Sequence, residues 1–144
     1  KVPSKRSWKT SSSPASRSIE DYDFADLSDK DANEMLLGYL TASISKFSKC
    51  TSDLSKRDDT EGIFEDDLSD IEIEILALSM VEEWIRPQVN STLLTKQIFA
   101  GAEEKFYAQS HQLAKLRALR DQSRVEKQKA YRDYQTEKFR QNNS

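Results

Sequence analysis

From Ala102 to Ser144 the chain holds neither glycine nor proline, and strong helix formers fill the whole stretch. Nothing in it interrupts a helix, so one long helix is expected there. The same scarcity runs through the rest of the sequence. Gly38, Gly62 and Gly101 are the only glycines, and Pro3, Pro14 and Pro87 the only prolines. A many-stranded sandwich or barrel needs far more turn punctuation than this. The reading is therefore an all-α fold, a small helical bundle with a long C-terminal helix and an extended N-terminal arm. A length of 144 residues leaves room for one domain, and 36% apolar content implies that part of the chain lies outside its core.

Three segments follow from composition. Residues 1–27, with the run SWKTSSSPASRS, bury too little apolar surface to fold alone and read as an extended basic, serine-rich arm. Residues 28–119 read as the helical body, and 120–144 as a projecting C-terminal helix or tail. Within the body, Ser28 is placed to cap a first helix over about 29–49, whose apolar stripe is Ala32, Leu36, Tyr39, Leu40, Ser43, Ile44 and Phe47. Residues 50–68 form an acidic connector, long for a structureless one. The pattern S-x-x-E at Ser69–Glu72 is a capping box, and Ile73, Leu76, Ala77, Met80, Val81 and Trp84 follow at helical spacing. That second helix is predicted over about 70–86, with Pro87 ending or kinking it. A short third helix then starts at Asn90 or Ser91 and closes at Gly101 as its cap.

The long last helix divides by composition. Phe106, Tyr107, Leu113, Leu116 and Leu119 give its first half a face to pack on the bundle. Beyond Leu119 only Val125, Ala130, Tyr131, Tyr134 and Phe139 stand among charges, which predicts that this half is no core of its own monomer. Arg124, Lys127, Tyr131, Tyr134 and Phe139 are the expected partner-binding set on it, because aromatics among cations suit a groove in a partner or a polyanion. In the arm, Trp8, Tyr22 and Phe24 are the expected anchors, being isolated aromatics in a polar strand.

A net charge of −3 conceals segregation. Lys1 to Arg17 carries Lys1, Lys5, Arg6, Lys9 and Arg17 with no acid, while Glu20 to Glu83 is dominated by acids, with a cluster at Glu65, Asp66, Asp67 and Asp70. From Lys115 to Arg140 the balance turns positive again. Both ends can pair with the middle of a neighbouring copy.

Several chemistries find no support. Cys50 is the single cysteine, so no internal disulfide or thiol metal cluster is available. His111 is the single histidine, beside Ser110, with no nucleophile or orienting group arguable nearby. The three glycines are isolated and make no phosphate cradle. If Gly62 were the central glycine of a calcium loop, Arg57 and Leu68 would stand where an aspartate and a glutamate are required. Catalytic residues, metal and cofactor are therefore expected to be absent. No apolar run approaches the roughly 20 residues of a membrane span.

The phrases NEMLLGYLTASISKFSKCTSDLSKRDD, FEDDLSDIEIEILALSMVEEWIRPQVNSTLLTKQIF and EEKFYAQSHQLAKLRALRD, in that order, resemble a family of head-to-tail connector proteins of tailed bacteriophages, also called adaptor or head-completion proteins. The resemblance covers residues 21–134 and rests on overall pattern, with no short diagnostic motif. It implies a helical subunit of the virion neck, present in the host cytoplasm during assembly. Neighbouring copies form a homo-oligomeric ring, a dodecamer, between the portal protein and the tail or a stopper or second connector protein. DNA then passes through without specific binding, and Glu65, Asp66, Asp67 and Asp70 line the channel or an inter-subunit face. Two rival readings are a nucleic-acid-binding accessory protein, using Arg117, Arg120, Arg124, Lys127, Lys129 and Arg132, and a coiled-coil scaffold. Negative total charge weighs against the first. Apolar spacing that does not sustain a heptad past Leu119 weighs against the second.

Overall fold

A computed structural model describes residues 28–98 and 101–143. The fold is all-α as predicted, with three helices and one minimal β-hairpin among the described residues. Helix α1 spans Asp29–Lys46, strands β1 and β2 are Arg57–Asp58 and Ile63–Phe64, helix α2 spans Asp70–Ile98, and helix α3 spans Glu103–Asn142. The arm over residues 1–27 lies outside the described residues.

Ser28 caps α1 as its sequence position suggests. Its Oγ accepts the Asp31 N–H at 3.2 Å, and Asp29 and Asp31 favour the positive helix start. Leu36, Leu40, Ser43 and Phe47 are buried, the first three on α1 and the last at its C-cap. The acidic connector, long for a structureless one, folds into a hairpin. Asp58 Oδ1 accepts the N–H groups of Thr60 and Glu61, and Gly62 takes a φ of 71°, which lets the turn close into β2. Arg57 pairs with Phe64 and Asp58 with Ile63, in antiparallel register. Leu54 and Phe64 are thereby delivered to the core. Their burial is what holds so short a hairpin, since two-residue strands have little stability of their own.

Helix α2 corrects the predicted break. It runs through Pro87 to Ile98 as one helix, so the short third helix is its continuation. Proline costs an interior hydrogen bond and crowds the preceding turn. Two features offset that cost here. Pro87 and Arg86 face outward, and the buried stripe of Trp84 and Ile85 continues past them in Val89 and Thr92. Gly101 was expected as the cap closing the short third helix; among the described residues the glycine with positive φ is Gly62.

Helix α3 is 40 residues long, about 60 Å at 1.5 Å per residue. It returns antiparallel to α2, with Glu72 opposite Tyr134, Glu82 opposite Lys127, and Lys96 over the Phe106 ring. Its buried positions are Leu113, Leu116, Ser123, Ala130 and Tyr134, spaced by threes, fours and sevens along one seam. The predicted division at Leu119 therefore has no counterpart. Ser123, Ala130 and Tyr134 are buried in their own monomer, contrary to the composition-based expectation, while Val125 stays exposed. The reason is the kind of residue in the seam: small Ser123 and Ala130 let the helices approach, and Lys127 and Tyr134 contribute apolar stems with polar ends that find partners.

Candidate functional site

The most elaborately built polar site lies where the connector meets the open end of the α2–α3 hairpin. Its centre is Glu72, whose residue surface is only 2% exposed. As the capping-box acid it accepts the Ser69 N–H at 3.0 Å, while Ser69 Oγ accepts the Glu72 N–H at 3.3 Å. Its two oxygens take three further bonds. Ser52 Oγ donates to Oε1 at 3.2 Å, and Cys50 Sγ and the Tyr134 hydroxyl donate to Oε2 at 2.9 and 3.1 Å. With its proton committed to Glu72, the Tyr134 oxygen accepts the Thr51 N–H at 2.9 Å and is 3.0 Å from Thr51 Oγ1, which donates to it.

Electrostatics follow from that geometry. Burial pulls the Glu72 carboxyl upward, but the donors Cys50, Ser69, Ser52 and Tyr134 outweigh it and hold the group at about 2. Burial and the bond to Glu72 push the Cys50 thiol up to about 12. Burial likewise raises the Tyr134 hydroxyl. The carboxylate is thereby held in its charged, acceptor-only form beside a thiol held protonated. What it does is fasten: one buried charge joins residues 50–52, the start of α2 and the last third of α3. Phe47 closes the same region with edge-on contacts to Tyr131 and Tyr134, ring centroids 5.5 and 5.7 Å apart.

The expected partner-binding set on the last helix is thus divided. Tyr134 is buried, Tyr131 is half-buried against Phe47, and Lys127 donates to Glu82 at 2.6 Å within the same chain. Those three take part in the monomer's own packing. Arg124 is exposed and Phe139 is 69% exposed, so these two remain on the surface. Among the acids, Glu65, Asp67 and Asp70 are exposed, and Asp66 is half-buried, its Oδ2 accepting the Asp53 N–H at 3.0 Å. Trp8, Tyr22 and Phe24 lie outside the described residues. His111 is exposed on α3.

Two further surface features escape composition-based reading. At the closed end of the hairpin, Leu94 and Ile98 on α2 and Tyr107 on α3 are exposed. Midway along it, a cleft of about 90 Å³ is lined by Glu82, Arg86, Val89, Asn90, Arg120 and Arg124. The helical period alone could have grouped Arg86 with Asn90 and Arg120 with Arg124, four residues apart on each helix; only the hairpin's register brings the two pairs together. Among the described residues there is no group of three or more His, Cys, Asp and Glu side chains arranged to hold a metal ion. Nor is any described helix long and apolar enough to cross a membrane.

Comparison with protein-family models, with curated proteins and with solved structures gives no match to this chain.

Proposed function

We propose that this chain is a structural subunit of a tailed-phage neck, a non-catalytic connector that assembles as a homo-oligomeric ring between the portal protein and the tail or next connector ring. The observation that carries the reading is charge segregation along a stiff helical hairpin. Exposed acids Glu65, Asp67 and Asp70 stand at the open end, and the cations Arg86, Arg120 and Arg124 stand midway. A head-to-tail contact that closes into a ring repeats one complementary pair of surfaces around the circle, and segregated charge serves such a contact. The resemblance of residues 21–134 to head-to-tail connectors supplies the class of partner. An acidic channel face also suits a conduit that must release DNA, because phosphate neutralisation binds strongly and without sequence preference.

The reading is tested by adding the purified chain to portal-bearing, tail-less capsids of the same phage and imaging the portal vertex. A ring of added density beneath the portal is expected. Capsids whose portal vertex is unchanged at saturating protein contradict it.

A further inference from the structure

In the cleft between α2 and α3, guanidinium groups from two helices converge. Arg86 and Asn90 come from α2, Arg120 and Arg124 from α3, with Val89 also lining it. Arg86 donates at 3.2 Å to Glu83, a mostly buried carboxylate that Lys46 also meets, whereas Arg120 is more lightly held, by the exposed Asp121 at 3.4 Å. Arg124 has no hydrogen bond or ion pair among the described residues. Glu82 also lines the cleft; its Oε2 is satisfied by Lys127 at 2.6 Å, while its buried Oε1 accepts nothing among them. A ligand that fits must bring an oxyanion for the guanidinium groups, and an acidic segment of polypeptide brings one.

The same chain carries such a segment. Glu65 and Asp67 are exposed and form no hydrogen bond or ion pair through their side chains among the described residues. Their loop is tied to the open end of the hairpin, since Asp66 holds the Asp53 N–H and the neighbouring Thr51 and Ser52 bond to Tyr134 and Glu72. Glu72 and Arg86 are separated by about 21 Å of helix rise. The acidic loop therefore cannot fill the cleft of its own chain, but it can fill that of a second copy displaced along the hairpin.

We infer that the Arg86, Asn90, Arg120 and Arg124 cleft is the receptor for the Glu65–Asp67 loop of a neighbouring copy, one half of a heterologous contact that repeats around a ring. This rests on the connector reading above and adds the residues that make the contact. Bidentate guanidinium pairing to two carboxylates fixes the register of one copy on the next, as a lysine would not.

The test is a charge swap read as self-association by sedimentation, with helix content checked by circular dichroism. Arg120→Glu with Arg124→Glu is expected to weaken self-association by about ten-fold or more. Adding Glu65→Arg and Asp67→Arg to that same chain is expected to restore it. As a second readout, Asp67→Cys with Asn90→Cys should give a ladder of linked chains with a bis-maleimide, whereas either cysteine alone should not. Unchanged association of the arginine variant, with no ladder, overturns the contact while the connector reading stands. A chain that stays monomeric at every concentration and gives no ladder also overturns it, and portal-vertex imaging then decides the connector reading separately. Loss of duplex-DNA binding with association intact would give the cleft to phosphate and likewise overturn the contact.

Discussion

Glu72 performs two tasks at once, and only one of them is local. The capping box was legible because Ser69 and Glu72 lie within one helical turn. The hub was not, because Cys50, Ser52 and Tyr134 are far away in sequence and no period or motif links them to an acid. Its linkage to pH has a definite sign. The unfolded carboxyl titrates near 4.5 and the folded one at about 2, so the folded chain refuses a proton that the unfolded chain takes up. Stability from this group is complete above about pH 4.5 and is lost as the pH falls toward 2. Denaturant titrations of the wild type and of Glu72→Gln should therefore differ most at neutral pH and converge in acid; curves that stay parallel would remove the hub's electrostatic role. Tyr134→Phe should cost about 1.5–3 kcal/mol, the value of a hydrogen bond to a charged acceptor, by the same titration. Cys50 yields a chemical counterpart. With its thiol pushed up to about 12, alkylation by iodoacetamide at mildly alkaline pH should be far slower in the folded chain than in denaturant. Equal rates would show that the thiol is not held by Glu72.

At the scale of elements, the sequence was most informative where local chemistry decides and least where the partner element decides. Ser28 and the S-x-x-E box announced two helix starts within a residue or so. Pro87 announced an end or a kink, and the helix does not end there, because the stripe running from Trp84 and Ile85 to Val89 and Thr92 stays buried beyond it. The apolar burial of that continuation exceeds the proline's cost, which a local rule cannot weigh. Pro87→Ala should accordingly stabilise the chain, by about 1–3 kcal/mol, since it restores a donor and relieves the turn before it. No gain in the denaturation midpoint would mean that α2 is bent at Pro87 to fit α3. The distal half of α3 was misjudged for the opposite reason. A search for leucines passes over a seam made of Ser123, Lys127, Ala130 and Tyr134, whose small and amphipathic side chains are buried only because α2 and the connector are there to cover them. Ala130→Leu should overfill that seam and cost about 1–3 kcal/mol in the same assay.

On the scale of the whole molecule, α2 and α3 pack along their length, with α1 and the connector sharing the same hydrophobic core. Deleting residues 120–144 takes away Lys127, Ala130, Tyr131 and Tyr134, leaving Phe47 and Glu72 without their covers. A stranded buried carboxylate and an uncovered aromatic are each costly, so the truncated chain should lose its cooperative thermal transition, where a projecting tail would have been removed harmlessly. Charge blocks were legible in the sequence, but not the placement that makes them useful, because the cleft exists only through the register of two antiparallel helices. The neck assignment itself is tested most directly by electron microscopy of native tailed particles labelled with an antibody raised against residues 102–144. Label confined to a single vertex, between capsid and tail, is the expected result; absence of the protein from every particle would contradict it.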